Sequence, residues 1–307
     1  MTSELFYRIN FSIVILFVTI GFLVSLSTIL IIIRHRQFHT FDHVLICNTC
    51  LGVLLHMFIA LIGSIYGFNE YWSSHSFLCS FRAFIYNVSI AVICYSISLR
   101  ALSHFFFVIL YNKRFLLTWR THLFLIVLNW IIGIIICLPP FFISNGYAYE
   151  QESRSCVVSS KMYLLSLYIL VVSSIIPYNI VLNLSLFILC YVKKSTRRIQ
   201  SLTQNVHQFH SKKRDIKLTK QMLFETNVVL SGGPIFIFLV FWNATQNEPL
   251  PDFLYALAFT ALTFAISFGS IIQFIINEPL VNYVRQLFNK TCQSAPFTIA
   301  IVNHTRH

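Results

Sequence analysis

Charged residues are scarce in this chain of 307 residues. Asp, Glu, Lys and Arg together make up 10% of the sequence, whereas ordinary soluble proteins contain about 25%. Hydrophobic residues make up 57%. The chain is therefore too apolar for a soluble domain.

Charge is almost absent from seven long apolar runs. A helix of about 20 apolar residues crosses the hydrocarbon core of a bilayer, which is about 30 Å thick. Backbone amides in lipid must bond within their own segment, and the short alternating segments of a barrel are absent, so the runs predict helices. Only the third and sixth runs contain a charged residue, Arg100 and Glu225 respectively. The predicted fold is an all-α membrane protein, a seven-transmembrane helix bundle, with runs at residues 11–33, 44–66, 83–111, 121–143, 162–192, 221–242 and 253–276.

The net charge of +12 is distributed unevenly along the chain. Sorting Lys and Arg by the predicted loops puts 18 of the 22 on one side of the membrane. The positive-inside rule makes that side cytoplasmic, so the N-terminus is expected outside and the C-terminus inside a plasma-membrane protein. The basic excess is explained by topology and by attraction to anionic membrane lipid. It does not indicate a nucleic-acid partner.

The chain divides into three parts by composition. Residues 1–10 are expected to be an extracellular N-terminus, 11–276 the transmembrane domain, and 277–307 an amphipathic helix and cytoplasmic tail. Apolar residues recur at helical spacing after Pro279, with polar residues between them, which is typical of a helix lying in the membrane interface. Cys292 follows this helix and is a candidate acylation site, or a free cytosolic thiol.

Motifs for catalysis, cofactors or metals are lacking. The sequence has no His/Cys/carboxylate cluster with metal spacing, no glycine-rich loop for phosphate and no catalytic triad. We therefore expect no enzymatic activity, no cofactor and no bound metal. A transporter would favour paired intramembrane charges and an internal repeat, and neither is present.

Cysteine, tryptophan and proline positions carry a resemblance to a known family. Cys79 lies at the outer end of the third predicted helix, and Cys156 lies in the loop before the fifth. Trp130 falls in the fourth helix, Pro177 in the fifth and Pro234 in the sixth. Together these positions resemble rhodopsin-like (class A) G-protein-coupled receptors over nearly the whole chain. The resemblance implies a disulfide between the two cysteines and helix kinks at the last two prolines.

Several switching residues of that family are replaced. Ser103-His104-Phe105 stands where the family has Asp-Arg-Tyr, and Ser231-Gly232 precedes Pro234 where it has Cys-Trp. The seventh helix has Gly269-Ser270-Ile271-Ile272-Gln273 in place of Asn-Pro-x-x-Tyr. Val53 replaces the sodium-binding Asp, so no sodium site is expected. Arg100, one turn before the missing arginine, is a candidate substitute, or else it pairs with Glu225 or a lipid phosphate.

The resemblance also implies a ligand site between helices three, five, six and seven. Tyr86 stands where amine receptors have an aspartate, and an ammonium without a counter-ion would be costly to bury, so a monoamine ligand is disfavoured. An apolar or neutral ligand, or a peptide resting on the acidic outer loops, remains open. The candidate ligand-binding residues are Tyr86, Asn87, Ser173, Ser174, Phe236, Phe259 and Thr263.

The predicted function is a receptor that transmits an extracellular signal, chemosensory or peptide, to a heterotrimeric G protein. The alternatives are a seven-helix decoy or scaffold that does not signal and, less favoured, a transporter. In the receptor hypothesis, the ligand favours a state in which the inner end of helix six swings outward about Pro234. The candidate G-protein contacts are Arg100, His104, Lys213, Arg214 and Lys217.

Overall fold

The computed structural model describes residues 2–69, 77–159, 162–200, 206–246 and 250–294. Six of its helices are long and apolar enough to cross a membrane, and one bent pair of helices completes seven spans when counted as one. The elements are α1 (Thr2–Arg34), α2 (Phe41–Asn69), α3 (Phe77–Val108), α4 (Trp119–Cys137), α5 (Pro139–Phe142), β1 (Tyr147–Glu150), β2 (Ser155–Val158), α6 (Tyr163–Leu170), a π turn (Val171–Ile175), α7 (Ile176–Gln200), α8 (Val206–Leu230), α9 (Pro234–Thr245), α10 (Asp252–Ile276) and α11 (Glu278–Ser294).

The fifth span consists of α6, the π turn and α7, the sixth of α8 and α9, and the seventh of α10. We call the end of the bundle that carries Cys79 and Cys156 the disulfide end. The opposite end, which carries Arg34, Lys113 and Lys193, is called the basic end. The predicted seven-helix bundle is confirmed.

Several helices extend beyond the apolar runs that predicted them. The first begins at Thr2, nine residues before its run, and α7 continues to Gln200. Apolar runs mark the part of a helix that lipid can cover, whereas the helix itself continues until a residue stops it. No proline or glycine lies between Thr2 and Gly21, so no helix-breaking residue separates Thr2 from the apolar run.

The fifth span contains a π turn, Val171–Ile175, that no feature of the sequence predicts. The N–H of Ile176 donates to the carbonyl five residues back, as in a π helix. Pro177 has no N–H to make the next such bond. The hydroxyl of Tyr95 on α3 donates instead to the carbonyl of Val172, at 3.0 Å. A side chain from another helix thus satisfies the backbone group that the proline leaves without a donor.

The sixth span is broken between α8 and α9, which meet at an angle of 45°. Pro234 begins α9, where its missing N–H costs no helical hydrogen bond. A Cβ added at Gly232 would lie 2.8 Å from the Ala261 carbonyl oxygen and 2.8 Å from the Leu262 Cα. Glycine is therefore required here for α10 to pack directly against the break.

A β-hairpin covers the disulfide end, in the segment predicted as the loop before the fifth span. Strands β1 and β2 pair antiparallel, with Tyr149 opposite Cys156. The Cys79–Cys156 disulfide ties the hairpin to α3, which confirms the predicted pairing. The Ser80 hydroxyl donates to the Tyr147 carbonyl at 2.9 Å, and the Tyr7 hydroxyl of α1 donates to the Glu152 carbonyl at 2.7 Å. The hairpin is thus fixed to two helices.

A buried polar network joins the second, third and fourth spans. The Trp130 indole donates to the Asn48 side-chain oxygen at 2.9 Å. The Asn48 and Asn129 amides both donate to the Ser96 hydroxyl, at 2.7 and 2.9 Å. Because lipid offers no competing partners, these bonds align α2, α3 and α4 along their length.

The predicted amphipathic helix is present as α11, directly after the seventh span. Leu280 is fully buried and packs with Ile29, Ile32 and Ile46 of the first two spans. Tyr283 hydrogen-bonds the His35 ring after α1. The side chain of Cys292 lies outside the described part of the structure, so its predicted acylation stays a prediction.

Candidate functional site

A cavity of about 450 Å³ lies between the third, fifth, sixth and seventh spans, towards the disulfide end. Its walls are built mainly from aliphatic and aromatic side chains, and none of its described lining residues is charged. The volume falls within the range of small-molecule pockets, about 300–1,000 Å³. A neutral, largely apolar molecule is the ligand class that such walls accept.

Six of the seven predicted ligand-binding residues line this cavity. They are Tyr86, Asn87, Ser173, Ser174, Phe236 and Phe259. The Asn87 amide donates to the Ala83 carbonyl at 2.9 Å, and the Ser173 hydroxyl donates to the Ile169 carbonyl at 2.6 Å. These polar groups already bond within their own helices, which leaves the cavity wall less polar than the residue names suggest.

Thr263, the seventh predicted residue, lines a neighbouring cavity of about 50 Å³ and not the large one. This smaller cavity lies beneath the hairpin and is also lined by Arg82 and Ser155. Tyr86 and Phe259 line both cavities, and their rings contact edge to face with centroids 6.4 Å apart. These two rings form the wall between the cavities.

Several lining residues were not predicted. Val157 and Val158 of the hairpin cover the large cavity and are themselves buried. Ile90, Ile93 and Cys94 continue the inner face of α3 from Tyr86. Helical spacing from Tyr86 could have identified the α3 residues, because positions four, seven and eight residues on share its face. Nothing in the sequence placed the hairpin valines.

A second cavity, of about 630 Å³, opens at the basic end between the second, third, sixth and seventh spans. Arg100, His104 and Lys217, three of the predicted G-protein contacts, line it. Lys213 and Arg214 lie in α8, but their side chains are outside the described part of the structure. Lys217 forms an ion pair with Glu278, the first residue of α11.

Arg100 and Glu225 form a buried ion pair across this cavity. The Arg100 Nη1 donates to both carboxylate oxygens of Glu225, at 3.1 and 2.8 Å. The side chains are 11% and 6% exposed. Of the partners left open by the sequence, the structure shows Glu225. The pair ties α3 to α8, and removing one partner of a buried pair leaves a charge that costs about 3–5 kcal/mol.

The positions of the missing Asp-Arg-Tyr motif make other contacts. The Ser103 hydroxyl hydrogen-bonds the Nε2 of His122 on α4 at 2.9 Å, and His122 is buried. His104 faces the basic-end cavity. Arg100 and Glu225 connect α3 with the sixth span through an ion pair.

Comparison with known proteins gives one family and one fold. The model of the 7 transmembrane receptor (rhodopsin family) matches residues 24–276. The crystal structure of squid rhodopsin is similar with a TM-score of 0.79 at 12% sequence identity, over 94% of this chain and 87% of that chain. At this identity the likeness shows the fold alone. No curated protein sequence matches the chain significantly.

Proposed function

Because this chain belongs to the 7 transmembrane receptor (rhodopsin family) group of multi-pass membrane proteins, we propose that it is a receptor that couples a neutral, largely apolar ligand to a G protein. The observation that carries the proposal is that the sixth span lines both cavities. Its outer half lines the ligand cavity through Phe236, and its inner half lines the basic-end cavity through Lys217 and Glu225. The break before Pro234 lies between them.

The proposed orientation follows the distribution of basic residues. The disulfide end faces outward, where cysteines oxidise, and the basic end faces the cytosol. Residues 1–10 and the hairpin are then extracellular, while α11 lies along the inner surface of the plasma membrane. A ligand at the disulfide end and a G protein at the basic end would therefore bind on opposite sides of one broken helix.

The proposed mechanism is a shift between two populations of the bundle. In the described state the Arg100–Glu225 pair holds α8 against α3. A ligand that contacts Phe236 more closely in a second state would rotate the sixth span about its break and separate the pair. The basic-end cavity would then widen enough to accept a helix of the G protein, with Arg100 and Lys217 at its rim.

The proposed role of Arg100 differs from the family pattern because no arginine stands at position 104. Its charge is instead supplied one turn earlier, and its partner Glu225 comes from the sixth span. Freed from Glu225, the guanidinium could donate to the carboxyl terminus or to backbone carbonyls of a partner helix. The ion pair would then stabilise the resting state and also keep the Arg100 guanidinium from contacting a G protein until the pair separates.

The experiment is nucleotide exchange on a panel of G-protein α subunits, with the chain reconstituted in nanodiscs. We expect measurable basal exchange on at least one subunit, and a higher rate with some member of a library of neutral lipophilic compounds. An Arg100→Ala variant at equal reconstitution is the control and should lose exchange. Wild-type protein that stimulates no subunit would overturn the proposal and favour the decoy or scaffold function.

A further inference from the structure

The large cavity reaches the outer surface of the bundle between the fifth and sixth spans. Ile175, Asn227, Ser231 and Ile237 line the cavity and are also exposed. The cavity is not enclosed, and these exposed lining residues mark where its wall between the two helices is incomplete. We call the opening bounded by these four residues the portal.

The portal lies at mid-depth in the bundle. Ser231 is 15 residues from Ile216 and 14 residues from Thr245, the ends of the bent sixth span. At 1.5 Å per residue it is roughly 20 Å along the helix from either end. In a bilayer with a hydrocarbon core about 30 Å thick, acyl chains rather than water or headgroups face the opening.

Local structure on both sides explains why the wall is incomplete. Gly233 has no side chain to fill the gap, Gly232 packs against α10, and the chain turns by 45° at this point. Opposite them, the fifth span contains its π turn, which ends at Ile175. A π turn interrupts the regular side-chain rows that allow neighbouring helices to interlock. Two irregular segments therefore face each other at the same depth.

Among the described residues, the hairpin covers the direct path from the disulfide end. Val157 and Val158 of β2 cover the cavity and are 4% and 6% exposed. The hairpin that carries them is held by the Cys79–Cys156 disulfide and by the Tyr7 and Ser80 hydrogen bonds. Opening this path would require several of these contacts to break together, whereas the portal is already open.

We propose that the ligand is an uncharged lipophilic small molecule that dissolves in the bilayer and reaches the cavity laterally through the portal. The proposal rests on the proposed function in taking the large cavity as the ligand site. The Asn227 amide and the Ser231 hydroxyl beside the opening already donate within their own helix, at 2.9 and 2.6 Å, so this route suits an uncharged, largely apolar molecule. Water-soluble or charged molecules have no path of this kind.

The test uses trifluoromethyl-phenyldiazirine, a neutral photoreactive probe that partitions into membranes. The full chain in nanodiscs is mixed with probe-loaded vesicles and irradiated after increasing delays. Trypsin cleaves after Arg82 and Arg100, and none of residues 83–100 is exposed in the structure. Labelling at Ile90 and Ile93 in this peptide therefore reports arrival of the probe inside the cavity.

Two variants narrow the portal, Ile175→Trp and Ile237→Trp. Ile180→Trp is the matched control, because Ile180 is exposed to the same 38% as Ile175 but does not line the cavity. We expect labelling of Ile90 and Ile93 to be about tenfold slower in both portal variants, since a bulky ring between packed helices must move aside for each passage. The control should label at the wild-type rate.

Wild-type rates in both portal variants, equal slowing in Ile180→Trp, or no labelling of the wild-type peptide would each overturn the proposal. The readout needs no G protein, so it fails separately from the proposed function. Slower labelling in the portal variants of a chain that stimulates no G protein would leave the portal established and the receptor function overturned. Normal nucleotide exchange together with wild-type labelling rates in the portal variants would overturn the portal and leave the receptor function standing.

Discussion

Neutralising Glu225 tests whether the Arg100–Glu225 pair holds the resting state. Glu225→Gln keeps the shape of the side chain and one oxygen that can accept from Arg100, so the change removes charge and little else. The pair is 11% and 6% exposed, which keeps solvent from replacing the lost interaction fully. We expect higher basal exchange on the coupled G-protein α subunit, because the resting state alone loses the interaction.

The size of the effect follows from the hydrogen bonds involved. A bond to a charged group contributes about 1.5–3 kcal/mol and a neutral one about 0.5–1.5 kcal/mol. Because the glutamine still offers Arg100 an oxygen, the substitution should weaken the resting state by less than removal of the whole partner would, by about 1–1.5 kcal/mol. A difference of 1.4 kcal/mol corresponds to about a tenfold change in an equilibrium. Basal exchange should rise by up to about that factor while the variant inserts and folds normally.

The matched control is Glu278→Gln, which removes charge from another ion pair of the sixth span, between Lys217 and Glu278. Lys217 and Glu278 are 54% and 66% exposed, and exposed pairs contribute only about 0–1 kcal/mol. Basal exchange in this control should stay close to wild type. Unchanged exchange in Glu225→Gln at equal surface expression, or an equal rise in both variants, would refute the assignment of the buried pair as the restraint.

Three further predictions concern the frame around the two cavities. Cys79→Ser should reduce delivery to the cell surface and ligand response, because the hairpin loses its covalent link to α3; normal values for both, measured by surface labelling and exchange, would contradict this role. Gly232→Ala should lower the thermal unfolding midpoint because its methyl group meets the α10 backbone, at a cost of about 1–3 kcal/mol; Gly233→Ala, whose added Cβ would contact only one carbonyl oxygen, should cost less. Tyr95→Phe should destabilise the protein by about 1–3 kcal/mol in the same thermal assay, because the Val172 carbonyl loses its donor; an unchanged midpoint would count against that account of the π turn.

The seven spans and the disulfide were predictable because each depends on one simple property. Spans require apolar length, which residues 11–276 display in seven runs. The pairing of Cys79 with Cys156 followed from the family resemblance, and the structure confirms it. The apolar length of the spans is required by the lipid, and the pairing of the two cysteines is a covalent bond. Both can therefore be retained when the rest of the sequence diverges.

The ligand cavity was predictable in part. Four predicted residues line the cavity because, in a regular helix, the direction of one side chain determines the direction of the others. They are Tyr86, Asn87, Phe236 and Phe259. Thr263 was placed on the right face of α10 but at the neighbouring cavity. Counting along a helix fixes direction to within a turn, but it does not show where two rings divide one space into two.

The hairpin and the π turn were not predictable, and the ion pair was predicted only as one of several alternatives, for related reasons. The hairpin is held by groups far away in sequence, such as the Tyr7 hydroxyl. The π turn depends on Tyr95 to satisfy a carbonyl that Pro177 cannot. Arg100 and Glu225 were visible as the charged residues within the predicted spans, but only the rotation of α3 against α8 decides that they meet.

The π turn also affects how this chain can be aligned with others. A π turn contains one more residue than the α-helical turn it replaces, and each residue of an α-helix turns the chain by about 100°. Side chains before Val171 are therefore rotated by about that angle relative to a continuous helix counted back from Pro177. A relative without the extra residue would align correctly after the proline and be one residue out of register before it. Equivalent positions on the wall formed by Ile169 and Leu170 must then be found from structure, since sequence spacing from Pro177 would point to their neighbours.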